Sequence, residues 1–111
     1  MKKYLIALLL ISSQVSAGEL VSGATIVDMG NTNNNSPDFA LFLKGGIGTC
    51  STSGVYKIVF PEIKFQSQSS KSFDHAFSMA MMGLATGKKV RIYNFEDDSC
   101  LGANFISVSN E

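Results

Sequence analysis

Histidine occurs once in this chain, and that scarcity removes most catalytic and metal-binding chemistry. A Ser-His-Asp arrangement would have to use His75 with its own neighbour Asp74, and adjacent residues of a helix do not face each other. The two cysteines, Cys50 and Cys100, lack the clustered Cys and His partners a structural zinc requires. No enzyme activity, cofactor or metal is therefore expected. Long apolar runs are also missing. None approaches the roughly 20 residues that cross a bilayer as a helix, so no membrane span is expected in the processed chain. Nine basic and nine acidic residues are spread without a long block of either sign, which leaves no electrostatic footprint for nucleic acid or anionic lipid. Internal repeats and low-complexity linkers are absent as well.

What is present begins with a targeting pattern. Lys2 and Lys3 precede the apolar run Tyr4 to Ile11, and Val15-Ser16-Ala17 supplies small residues for cleavage, so residues 1–17 read as a secretory signal peptide. Residues 18–111 then form a single domain, with seven basic and nine acidic residues and a net charge of −2. Such a chain is secreted or periplasmic. In an oxidising compartment the two cysteines are expected to form one Cys50–Cys100 disulfide, and closing so long a loop contributes roughly 4 kcal/mol in the chain-entropy model.

Leu20 to Met29 is rich in β-branched residues around Gly23, as in a strand with a bend or bulge. The turn formers Gly30 to Asp38 end it, and Phe39 to Lys44 reads as the second strand of a hairpin. Gly45-Gly46-Ile47-Gly48 is not a phosphate loop, because no Lys-Ser/Thr pair follows and no helix opens there. Val55 to Phe60 places apolar residues on both faces and predicts a third strand packed on two sides. Pro61 limits it, with Glu62 to Phe65 as an irregular extension and Gln66 to Lys71 as a polar loop.

From Ser72, a candidate N-cap, Phe73, Phe77, Ala80, Met81 and Leu84 recur at helical spacing as one apolar stripe, with Asp74 near the positive helix end. Met79, Met82 and Ala85 widen the stripe, which predicts a nearly enclosed helix or a second contact surface. Gly87 is the expected left-handed stop. Val90, Ile92 and Asn94 then alternate against Arg91, Tyr93 and Phe95 as a strand, and Asn104 to Ser109 makes a last one. The order β-β-β-α-β-β predicts a mainly β fold with one helix, an OB-fold-like five-stranded Greek-key barrel. An antiparallel sheet with the helix on one face is the alternative.

Glu96-Asp97-Asp98 has the oxygen ligands calcium prefers but not their spacing, and reads as a solvated acidic turn. Tyr56, Tyr93 and Asn94 are aromatic and amide groups of the kind that line sugar sites.

The segment Leu20-Val21-Ser22-Gly23-Ala24-Thr25-Ile26, the asparagine-rich turn, and above all Thr86-Gly87-Lys88-Lys89-Val90-Arg91-Ile92-Tyr93 resemble the B subunits of AB5 toxins of the subtilase cytotoxin and typhoid toxin group. Small secreted proteins of Gram-negative bacteria share these features. The likeness runs from about Leu20 to Phe95. It implies an OB barrel, a helix lining the centre of a pentameric ring, an A subunit as partner, and a sialoglycan site on the barrel side. Ser22 matches the serine that touches sialic acid in that group. The following contact is a tyrosine there, where this chain has Asn94, and the position of Cys100 also departs from the group's pattern.

The expectation is thus a non-enzymatic secreted or periplasmic binding module, with Ser22, Tyr93 and Asn94 as glycan contacts and Met79, Met82 and Ala85 as a self-association surface. The alternative is a stand-alone inhibitor or assembly factor that holds a protein partner through its helix or an edge strand.

Overall fold

A computed structural model describes residues 18–32, 37–65 and 70–110. The signal peptide expected over 1–17, the middle of the Gly30–Asp38 turn and part of the Gln66–Lys71 loop lie outside the described residues. Strands β1 (Glu19–Asn31), β2 (Phe39–Ile47) and β3 (Tyr56–Phe60) come first. A 3-10 turn (Glu62–Phe65) and helix α1 (Ser70–Thr86) follow, then β4 (Lys89–Tyr93) and β5 (Phe105–Ser109).

All five strands join one antiparallel sheet in the order β3-β2-β1-β4-β5. No ladder joins β3 to β5, so the sheet is not closed. The outer edge of β3 is instead met by the segment before β5. The Val59 amide donates to the Cys100 carbonyl at 2.9 Å, and the Ala103 amide donates to the Val59 carbonyl at 3.0 Å. The Cys50–Cys100 disulfide is formed and anchors that segment to the β2–β3 loop.

The mainly β class with one helix stands as expected, and several further details differ. β3 packs on one side: Tyr56, Ile58 and Phe60 are buried, while Val55 and Lys57 are exposed and Val59 is half-buried. The Val59 side of the strand is turned toward solvent, so Val55 extends no second core. Glu62–Phe65 forms a 3-10 turn that buries Phe65, rather than an extension of the strand.

Helix α1 begins two residues before Ser72, since no proline or glycine stops the first turn from extending backwards. Its buried line is Phe73, Ala76, Ala80 and Gly83, whereas Phe77, Met81 and Leu84 are exposed. The reason is size. A Cβ on Gly83 would lie 3.1 Å from Val90 Cγ1 and 3.2 Å from Ile26 Cδ1, so small residues let the helix press onto the sheet. The large side chains are turned aside.

Phe39 joins helix to sheet, stacked on Phe60 at 4.8 Å, tilted against Phe73 at 5.4 Å and edge-on to Phe77 at 5.1 Å. With Leu20, Leu41, Leu43, Ile58 and Ile92 fully buried around it, this cluster is the core. Each such side chain contributes roughly 1.5–3 kcal/mol relative to exposure.

Candidate functional site

Gly87 sets the site's frame. Its φ of 72° is a left-handed conformation that stops α1, with its amide donating to the Gly83 carbonyl at 2.9 Å, and β4 leaves two residues later. Along β4, successive side chains point to opposite sides. Val90 and Ile92 are buried with Asn94 just beyond the strand, whereas Lys89, Arg91 and Phe95 are exposed and Tyr93 is half-buried. The outer row meets matching rows on both neighbours. Ser22 of β1 pairs with Arg91, which pairs with Ser107 of β5; Lys89 pairs with Ser109, and Tyr93 with Phe105. Gly23, at φ 81°, sits where the β1–β4 register shifts, so the expected bulge in β1 lies beside Ser22.

Together Ser22, Gly23, Lys89, Arg91, Ser107 and Ser109 line a concave site of about 290 Å³. It carries two cations and three hydroxyls. The one ion pair among the described residues is Lys64–Glu96 at 2.6 Å, so neither Lys89 nor Arg91 has a carboxylate partner there. Next to this cleft is an aromatic group. Tyr93 and Phe95 stack at 5.2 Å, Phe105 stands edge-on to Tyr93 at 5.6 Å, and Arg91 lies 5.7 Å from the centre of the Tyr93 ring. Such an arrangement offers charge and hydroxyl groups to an anionic, hydroxylated ligand, and ring faces to its apolar C–H surface.

Of the residues anticipated as glycan contacts, Ser22 and Tyr93 fall on this face and Asn94 does not. Asn94 is 0% exposed. Its Nδ2 donates to Asp97 Oδ1 at 2.7 Å and to the Ser99 carbonyl at 3.1 Å. Its Oδ1 accepts from the amides of Glu96 and Asp97 and from Lys64 Nζ, at 3.0, 3.2 and 3.3 Å. This side chain shapes the acidic turn from within and has no surface for a ligand. Asp97 is likewise occupied, accepting from the Ser99 amide at 2.8 Å as well.

The anticipated self-association residues do not share one face. Met79 is half-buried against the core, Met82 is 52% exposed, and Ala85 lines an open groove with Met29, Phe39, Phe77, Met81 and Leu84. That groove, about 690 Å³ and almost wholly apolar, lies between α1 and the far end of the β1–β2 hairpin.

Residues the sequence did not single out are Lys89, Arg91, Ser107, Ser109, Phe95 and Phe105. The alternation in β4 placed Arg91, Tyr93 and Phe95 on one side. Which strand faces that side is a long-range pairing, and nothing local specifies it.

A family model described as "Family of unknown function (DUF5992)" matches residues 1–110. The chain belongs to this family. No curated protein matches it, and no solved structure does. For this DUF5992 member, then, the geometry of its own side chains is the guide to function.

Proposed function

We propose that this protein is a non-enzymatic secreted or periplasmic binding module that holds an acidic glycan on the outer face of β1, β4 and β5. The observation that carries this reading is the juxtaposition of Lys89 and Arg91, neither with a carboxylate partner among the described residues, with Ser22, Ser107 and Ser109 in one cleft beside the stack of half-buried Tyr93 and exposed Phe95. A sugar carboxylate pairs with Arg91 while its hydroxyls exchange hydrogen bonds with the serines. The disulfide supports an oxidising compartment. The resemblance to toxin B subunits supports the same face, since Ser22 lies in this cleft. Closing the sheet would bring β3 beside β5, which is compatible with an OB-type barrel left open at that seam. Asn94 is no part of the site in this reading.

A glycan array tests it. Binding concentrates on sialylated or otherwise carboxylated glycans, falls at least tenfold with Arg91→Ala and less with Ser22→Ala, and weakens with salt. An array with no bound glycan refutes the assignment.

The second reading, a protein partner, rests on the apolar groove beside Phe77, Met81 and Leu84. This groove is also where a ring of identical copies, or an A subunit, would pack if the toxin likeness extends to assembly. Size-exclusion chromatography with light scattering separates the cases. A single-chain mass removes the ring and leaves the glycan reading intact.

A further inference from the structure

We infer that a separate binding site lies between helix α1 and the start of β5, and that it takes a short-chain carboxylate. It does not depend on the glycan reading. Ser72, His75 and Met79 follow one another along one side of α1 and line a cleft of about 200 Å³, closed by Phe65 of the 3-10 turn and by Asn104 and Ile106.

Asn104 decides what the cleft can do. It is 7% exposed. Its backbone amide donates to the Tyr93 carbonyl at 3.0 Å, and its Oδ1 accepts from the Phe95 amide at 3.1 Å. Its Nδ2 donates to no other described residue. Among the described residues no side-chain nitrogen or oxygen is both sealed from solvent and without a partner, so Nδ2 is reached from outside, through the cleft that Asn104 lines. A nearly buried donor without a protein partner gains most from a charged acceptor.

Charge and size select that acceptor. No carboxylate lines the cleft, and the first turn of α1 holds no acidic residue to offset the positive end of the helix. Asp74 is exposed and lies outside the cleft. The two oxygens of an acid can take hydrogen bonds from Asn104 Nδ2, the Ser72 hydroxyl and the His75 ring. Phe65, Met79 and Ile106 then receive an alkyl tail. The volume is below the roughly 300 Å³ at which drug-sized ligands begin to fit, so the tail is a few carbons long.

Two-dimensional NMR of the isotope-labelled full chain, titrated with butyrate, tests this site, because the Asn104 side-chain amide gives its own pair of signals. That pair, with Ser72 and His75, is expected to shift saturably with a millimolar Kd. Butanol keeps the tail without the charge, and acetate keeps the charge without most of the tail. Each is expected to bind about tenfold more weakly. Asn104→Asp retains an oxygen for the Phe95 amide and removes the donor, so butyrate binding falls at least tenfold. Ser72→Ala and His75→Ala, at half-buried and exposed helix positions, each weaken binding about threefold or more and carry the test if the Asn104 variant does not fold. No saturable shift of the Asn104 pair, an equal response to butyrate and butanol, or undiminished binding in both helix variants overturns the site. A response centred on Ser22, Arg91 and Ser107 places the acid in the outer cleft instead and overturns it as well, while the glycan reading survives.

Discussion

The two sides of β4 are made from alternate residues of one short segment and do opposite work. Val90 and Ile92, with Asn94 beyond the strand, are buried and complete the core and the acidic turn; Lys89, Arg91, Tyr93 and Phe95 line the outer surface proposed as the ligand face. A shift of one position separates a structural amide from a proposed ligand contact. Its amide chemistry, and its place where the toxin group has a tyrosine, pointed to Asn94 as a glycan contact, and the alternation of side chains turns it inward. The lesson is that a motif transferred between β proteins has to be checked against the pleat before any residue is given a role.

Substitutions on the two sides should separate stability from binding, and the largest effects belong to the inner side. Replacing both cysteines by serine frees the segment that covers β3 and should cost about 4 kcal/mol in denaturant unfolding. Asn94→Ala should cost about 3 kcal/mol, because it strips the acceptor from the Glu96 and Asp97 amides and from Lys64. Gly83→Val drives a branched side chain into Val90 and Ile26 and should cost about 2 kcal/mol, measured the same way.

Tyr56 provides a smaller effect with a pH signature. Its hydroxyl donates to the Gly45 carbonyl, and burial pushes the phenol above its ordinary value while a hydrogen bond with Ser51 pulls the other way. The folded protein therefore holds this proton more tightly than the unfolded chain does. The associated stability is full below the ordinary tyrosine value of about 10 and is lost as pH rises past it. Tyr56→Phe should remove that dependence in alkaline melting curves and cost about 1 kcal/mol at neutral pH. The outer side closes the series. Arg91→Ala should shift stability by about 0.5 kcal/mol or less, against a tenfold or greater loss of glycan binding.

Much of the fold was legible because its signals are local. The succession of strands and helix along the chain, the glycine bulge in β1, the stop at Gly87 and the disulfide all follow from residue type and spacing. The rotation of α1 was not, because helical spacing fits both Phe73-Phe77-Ala80-Leu84 and the observed Phe73-Ala76-Ala80-Gly83. The choice between them depends on how closely β1 and β4 approach Gly83. The site was half legible for a similar reason. Ser22 and Tyr93 stood out alone, but their meeting with Ser107 and Phe105 depends on β5 returning beside β4.

Chemical-shift mapping by two-dimensional NMR, with sialyl-galactose titrated into the isotope-labelled protein, tests the central claim most directly. The account predicts saturable shifts at Ser22, Arg91, Tyr93, Phe95 and Ser107, with Phe77, Met81 and Leu84 unmoved. Shifts confined to the helix groove, or none anywhere at saturating ligand, would contradict it.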